Sequence, residues 1–342
     1  MEDKLVTVII PAWNAERYLE ATLESLLGQS HRNLRILVVD DGSTDSTPLI
    51  LERIHRADPR LQYWTVPNGG PAKARNFALD RLPPETNYVM FLDADDLLLE
   101  DAVSYALEGS GGAELVIFGF AIRQMDGALL PYYEEEQLLE WRDLGESLPR
   151  LYKANLLNQV WAKLFSAALV RDLRFPDYRW GEDRLFLFQA LERAERIKIL
   201  PECKHRYVMH EGESLISRYY DRKFRVCCEV DEAMERLCGK LGVTEQADFR
   251  YMFAKSVFSC MTTLYARSCR LTKAEKRSVV SAIVNDPRVQ RRCRDCSGGL
   301  PVNLLCAVLR SRLVGLNLFV FRLVAWCGEH LPRLFTRLKH RK

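Results

Sequence analysis

The chain has 342 residues, 48% of them hydrophobic and 28% charged, proportions that suit a folded globular protein and exclude disorder as its main state. That length exceeds one compact domain, so an α/β core with an appendage is expected. The net charge of +3 is unevenly placed: residues 271–342 hold 15 Lys and Arg against four Asp and Glu, a local +11 that leaves −8 on residues 1–270.

Val6 to Ile10, a β-branched run closed by Pro11, predicts a fully buried first strand. Asn14 can cap the helix that follows, in which Leu19, Leu23, Leu26 and Leu27 share one face. Leu34 to Val39 predicts a second strand, stopped by Asp40-Asp41-Gly42-Ser43, and Thr44-Asp45-Ser46-Thr47 caps a helix carrying Leu49, Ile50 and Ile54. Leu61 to Val66 reads as a third strand, Asn68-Gly69-Gly70 as a turn, and Pro71 as the first turn of a helix reaching Leu82. The fourth strand, Tyr88 to Leu92, runs into Asp93-Ala94-Asp95-Asp96. Strands alternating with helices at this period predict a parallel doubly wound sheet, with ligands beyond the carboxyl ends of its strands.

Three acid-bearing or aromatic turns follow strands directly, at Pro11-Ala12-Trp13-Asn14, at Asp40-Asp41 and at Asp93 to Asp96, so they are expected on one sheet edge. Three carboxylates in four positions repel unless a cation neutralises them. Mg²⁺ or Mn²⁺ would do so through oxygen ligands while leaving positions open for phosphate. An acidic turn capping the next helix is the other reading of the same residues.

Beyond Asp101 the pattern predicts a strand over Leu115 to Phe120, a helix over Leu144 to Leu157 and a strand over Val160 to Phe165. Gly181-Glu182-Asp183 opens a helix running from Arg184 to Arg193, strands follow at Ile197 to Leu200 and His205 to Met209, and the chain reads as helical from Asp221. All ten cysteines fall between Cys203 and Cys327, and Met1-Glu2-Asp3-Lys4 enters a strand without a signal peptide. A reduced, cytoplasmic protein is the expectation. Cys293-Arg294-Asp295-Cys296 has zinc-knuckle spacing without a second Cys/His pair nearby, and Cys227 and Cys228 are expected to pack in a helix.

Absences narrow the ligand. No G-x-G-x-x-G follows the first strand and no G-x-x-x-x-G-K-[ST] occurs, which argues against a dinucleotide Rossmann domain and a P-loop. Pro11-Ala12-Trp13 is also unlike the Gly-rich basic loop of a sugar-phosphate nucleotidyltransferase.

The segments Thr7 to Asn14, Val38 to Asp45, Gly70 to Asn76 and Phe91 to Asp96, spread in order over residues 4–100, resemble family 2 glycosyltransferases of the GT-A fold. Trp161-Ala162-Lys163-Leu164-Phe165 and Trp180-Gly181-Glu182-Asp183 resemble the second-half motifs of bacterial capsule and lipopolysaccharide members. The resemblance implies a mostly parallel doubly wound sheet with a helical C-terminal appendage: a nucleotide-sugar half over 1–100, an acceptor half over 101–220 and a helical basic region over 221–342.

By the same resemblance Asp41 accepts a hydrogen bond from the base and Trp13 stacks beside it, in a site completed by Pro11, Asn14 and Asp40. A carboxylate suits the imide N–H of uracil, which favours a UDP-sugar. Arg75 would face the diphosphate or an aspartate, Asp93 the ribose or the metal, and Asp95 the metal and diphosphate, with Asp96 either a further ligand or the cap of the next helix. Asp183 would be the general base of an inverting transfer and Glu182 its tuning neighbour. His210 stands near where relatives carry an arginine before a Gly-Ser that closes over the diphosphate, so His210, Ser214 and Lys163 are expected on that diphosphate, or His210 in the metal shell. Plain structural readings stay open for each: turn formation for Asp40 and Asp41, packing for Trp13, a solvated helical arginine for Arg75, and the helix dipole for Glu182 and Asp183.

The end of the chain is apolar and basic. Arg310, Arg312 and Arg322 interrupt Leu300 to Cys327 and leave no charge-free run near the roughly 18 residues a membrane span needs. Two interfacial amphipathic helices fit better, one with Leu304, Leu305, Val308 and Leu309, the next with Leu316, Phe319, Val320 and Leu323. Arg333, Arg337, Lys339, Arg341 and Lys342 would meet anionic headgroups at the inner face of the plasma membrane. Packing on the catalytic domain or a homodimer surface remains the alternative, and no nucleic-acid partner is expected. The sum is a metal-dependent inverting transferase moving a sugar from a nucleotide donor to a saccharide or lipid-linked saccharide. A non-catalytic sugar-nucleotide module and a nucleotidyltransferase are the rivals.

Overall fold

Short apolar runs, most of them buried on both faces, build the first half of the sheet, and within that half every pair is parallel. Strands β1 (Val6–Ala12), β2 (Leu34–Asp40), β3 (Leu61–Thr65) and β4 (Tyr88–Phe91) lie in the order β3-β2-β1-β4. β1 pairs with β2 from Val6 through Ala12, but with β4 only from Val6 through Ile9. The end of β1 therefore runs past its last pair with β4, at the point where the strand order reverses and such sheets bind ligands. The computed structural model describes residues 4–124, 126–210, 217–244, 247–294, 296 and 299–330, and the chain divides into two units, Met1–Glu211 and Gly212–Lys342. That division falls earlier than the expected boundary at 221.

Helices α1 (Leu19–Leu27), α2 (Thr47–Ala57) and α3 (Pro71–Leu79) connect these strands. α1 buries Leu19, Leu23 and Leu26 as its period predicts. Asn14 does not cap it; the cap position is Tyr18. α2 buries Leu51 and Ile54, which puts Leu49 on the opposite face at 73% exposure.

The second half adds β5 (Leu97–Leu98), β6 (Leu115–Arg123), β7 (Leu129–Tyr132), β8 (Gln137–Glu140), β9 (Lys163–Ser166) and β10 (Arg196–Val208). The order continues from β4 through β9, β6 and β10 to β5, with β7 on β6 and β8 on β10. β9 is antiparallel to both β4 and β6, while β6 and β10 are parallel, so the sheet is mixed but mostly parallel in its main path. The two strands expected at 197–200 and 205–209 are one strand, β10, interrupted by register shifts between Leu200 and His205. Helices α4 (Ala102–Glu108), α5 (Leu144–Lys153), α6 (Ala167–Val170) and α7 (Glu182–Arg193) complete the unit. α5 stops at Lys153, short of the expected Leu157. Phe91, Phe165, Phe175 and Phe186 form an aromatic cluster beneath the sheet edge, with Phe175 and Phe186 stacked at 4.0 Å.

The second unit is helical, as expected: α8 (Lys223–Lys240), α9 (Ala247–Thr263), α10 (Lys273–Asn285), α11 (Pro287–Arg292), α12 (Gly299–Arg310) and α13 (Val314–His330). Val226, Val230, Met234 and Leu237 line the inner face of α8. A Thr272–Glu275 capping box opens α10, and Asp286 caps α11 just before Pro287. Asp231 is buried against Arg292 at 3.0 Å. All ten cysteines are thiols. Cys227 packs inside α8 as expected, and Cys293, Cys296 and Cys306 are buried together, with Cys306 Sγ 3.7 Å from Cys296 Sγ. Among the described residues no group of three or more His, Cys, Asp or Glu side chains is set to hold a metal. The same residues contain no helix long and apolar enough to cross a membrane.

Candidate active site

The turns after β1 and β2 interlock. Asn14 takes a left-handed backbone, with φ of 48°. Its backbone N–H donates to Ser43 Oγ at 2.9 Å, and its side-chain oxygen accepts from the Thr44 N–H at 2.8 Å. Asp40 is fully buried; Oδ1 accepts from the Ser43 N–H at 3.0 Å, and Oδ2 has no hydrogen-bond partner among the described residues. Asp41 accepts from the Gly69 and Gly70 N–H groups at 2.7 and 2.8 Å, and so shapes the glycine turn before α3. Gly42, with φ of 69°, lets that turn approach: a Cβ there would lie 2.9 Å from the Asn68 nitrogen. A carboxylate oxygen has a second lone pair, so Asp41 can still accept from a base. Trp13 follows the end of β1 and is 46% exposed, just beyond Pro11 of that strand.

Arg75 is the hub of the site. Its guanidinium reaches Asp93 Oδ1 at 2.7 Å, Asp183 Oδ1 at 2.8 Å and Glu182 Oε1 at 3.4 Å. The arginine is buried over the Phe175 ring, so it is not the solvated helical residue that the sequence left open. Asn76 holds that loop by exchanging two 2.8 Å hydrogen bonds with the Phe175 backbone. Burial works against the Arg75 charge, but Asp183, Asp93 and Glu182 outweigh it and hold the guanidinium above its ordinary range. Three carboxylates around one cation leave negative charge over. Burial first, and then the Asp183 charge, push Glu182 upward, while burial raises Asp183 against the opposing pull of Arg75. Gly181, at φ of 83°, turns the chain so that α7 begins on this acidic pair.

Asp95 and Asp96 are adjacent, and each faces a histidine. Asp95 is 43% exposed on its side chain and lies 3.5 Å from His210 Nε2, while His210 stacks on Tyr18 at 3.8 Å. Burial, then Asp96 and Asp93, push Asp95 up to about 7. Asp96 has no exposed side-chain surface: Oδ2 meets His205 Nε2 at 2.9 Å and Oδ1 accepts from the Val208 N–H at 3.0 Å. Asp96, expected among the metal ligands, is instead committed on both oxygens inside the core. His205, stacked on Trp161 at 4.3 Å, is driven down to about 3 by burial. It has no place in the predicted site, although its i, i+2 alternation with Tyr207 on a strand beside Trp161 is the signal that could have found it. Tyr18 was missed as well.

A divalent ion fits the donors that remain. Asp95 is a hard oxygen ligand in surplus negative charge, and the buried His210 Nε2 has no hydrogen-bond partner among the described residues. Two such donors are the pattern in which phosphate oxygens and water complete the shell. Asp93, by contrast, is tied to Arg75 through Oδ1.

Lys163 is corrected outright. Expected on the diphosphate, it is fully buried, with Nζ donating to the Trp161 carbonyl at 3.2 Å. Burial pulls it down to about 7, against the Asp183 charge. Ser214 lies outside the described residues.

Residues 7–164 match the family model described as Glycosyl transferase family 2. Glycosyltransferase GlyA of Streptococcus pneumoniae is 30% identical over 254 residues, 69% of this chain and 34% of that protein. Minor teichoic acid biosynthesis protein GgaA of Bacillus subtilis is 29% identical over 65% of this chain and 51% of its own length. The chain thus spans about a third to a half of these curated relatives. The crystal structure of S. aureus TarS 1–349 in complex with UDP-GlcNAc superposes with a TM-score of 0.67 at 21% identity, over 95% of this chain and 92% of that one. The two chains share the mostly parallel GT-A fold with helices at its C-terminal side.

Proposed function

We propose, from a chain whose residues 7–164 belong to glycosyltransferase family 2, that it transfers a sugar with inversion from a UDP-sugar to a hydroxyl of a cell-surface polysaccharide or a lipid-linked saccharide. The observation that carries this reading is the Arg75 hub, which brings Asp183 and Glu182 to the sheet edge that also bears Trp13, Asp41 and Asp95. UDP-GlcNAc in the TarS structure and the teichoic acid name of GgaA support the donor class and the kind of acceptor.

Trp13 offers a face to the base and Asp41 an acceptor to its imide N–H. Asp95 and His210 would hold a divalent ion, which would offset the charge that builds on the departing diphosphate. Asp183 takes the proton of the acceptor hydroxyl as that oxygen attacks the anomeric carbon and the bond to the diphosphate breaks. Burial raises its proton affinity, so it is a stronger base than an exposed aspartate. Arg75 fixes its direction, and Glu182, on the same guanidinium, keeps the pair from collecting a second full charge.

A panel of nucleotide sugars, assayed for nucleoside diphosphate release with Mg²⁺, Mn²⁺ or chelator, tests this. UDP release that requires a divalent ion is the expected result. Pyrophosphate formed from UTP and a sugar phosphate would make the chain a nucleotidyltransferase, and UDP binding without turnover would make it a binding module.

A further inference from the structure

Of the 17 residues of α13 only Arg322, Glu329 and the terminal His330 are ionisable apart from Cys327, yet the helix buries just Asn317 and Phe321. What it leaves outside is apolar. Leu316, Phe319, Leu323 and Trp326 follow the i, i+3, i+7, i+10 spacing of a single helical face, with Phe319 68% and Trp326 49% exposed. Leu313, just ahead of this helix, and Leu304 of α12 are exposed too. A contiguous apolar stripe of this kind marks a docking surface.

Charge decides what docks. Arg288, Arg291 and Arg292 are paired with acids of α8, and Arg267 with Glu329. Arg310 and Arg312, at the corner between α12 and α13, and Arg322, on the flank of the stripe, are exposed and have no ion pair among the described residues. A second copy of this chain would bring one +11 segment against another. Among the described residues no helix is long and apolar enough to cross a membrane, and α13, at 17 residues, carries Arg322 in its interior. An anionic lipid surface satisfies both halves of the stripe: acyl chains for Phe319 and Leu323, phosphates for the arginines, and the headgroup boundary for Trp326.

We propose that the corner of α12 and α13 is a membrane-docking surface for anionic lipid, on which the helices lie in the plane of the bilayer. This stands apart from the transfer reaction, so lipid binding and turnover can fail separately. It deepens the proposed function by placing the enzyme where a lipid-linked acceptor resides.

Vesicle sedimentation of the full chain tests it, with phosphatidylcholine alone and with added phosphatidylglycerol. The expected result is binding to the anionic vesicles that weakens with salt, at least about tenfold weaker binding to neutral ones, and a loss of at least about tenfold in Phe319→Glu/Leu323→Glu with an unchanged melting curve. Arg322→Glu, also at an exposed position, should weaken only the anionic binding. Equal binding of wild type and double variant would overturn the proposal. So would a dimer that the double variant dissociates without any vesicle binding, which would assign the stripe to a second copy.

Discussion

Asp95 and Asp96 are consecutive carboxylates, each facing a histidine, in opposite settings. Asp96 and His205 are sealed at 2.9 Å, with the Val208 N–H taking the other oxygen. Asp95 and His210 are looser at 3.5 Å and reach solvent. Residue type cannot separate the two pairs, but burial does. A sealed pair fixes architecture, here by tying the Asp95 turn to the end of β10 just before His210, whereas an open pair keeps lone pairs for a ligand.

Substitution should split the pairs. Asp95→Ala is expected to lower UDP-sugar turnover on the order of 10²–10³-fold with little change in melting temperature, measured by nucleotide release and calorimetry. Asp96→Ala should lose stability on the order of 1–3 kcal/mol for each partner left unpaired in the core, the neutral His205 and the Val208 N–H, and denaturant unfolding measures that. Similar profiles for the two variants would erase the distinction. His210→Ala, on the open side, should raise the divalent ion concentration needed for half-maximal rate about tenfold and leave stability nearly unchanged.

The acid pair sharpens the comparison through pH. Asp183 and Glu182 are both raised, so under the proposed mechanism the basic form is lost on acidification at a pH above the ordinary carboxylate range. Lys163, pulled to about 7, becomes charged in that same interval and helps Asp183 stay ionised. Lys163→Met should therefore move the acid limb of the rate profile upward, by on the order of half to one pH unit. A limb that stays in place would show that Lys163 does not act on Asp183.

The first four strands were legible because buried parallel strands read as continuous apolar runs bounded by Pro, Gly and Asp, and Val6 to Ile10 and Leu34 to Val39 need no partner to be recognised. The short edge strands β5, β7 and β8 were not, since Leu97–Leu98 or Gln137–Glu140 become strands only by pairing with β10. The antiparallel insertion of β9 is equally a tertiary fact. At the site, residue types and turn positions were readable, but depth was not. Asp96 and His205 are 109 positions apart, and nothing local to either one announces that they meet. Lys163 reads as an exposed cation because lysines rarely lie in a core. Arg75 offered a choice between diphosphate and aspartate, and three carboxylates from two distant segments decided it.

Asp183→Asn, compared with wild type for metal-dependent UDP release in the presence of acceptor, tests the account most directly. The volume and the Arg75 contact are retained while the base is removed. A fall in kcat on the order of 10²–10⁴, with melting temperature held or raised because a buried charge is gone, is the predicted result. Wild-type turnover by a folded Asp183→Asn protein would contradict it.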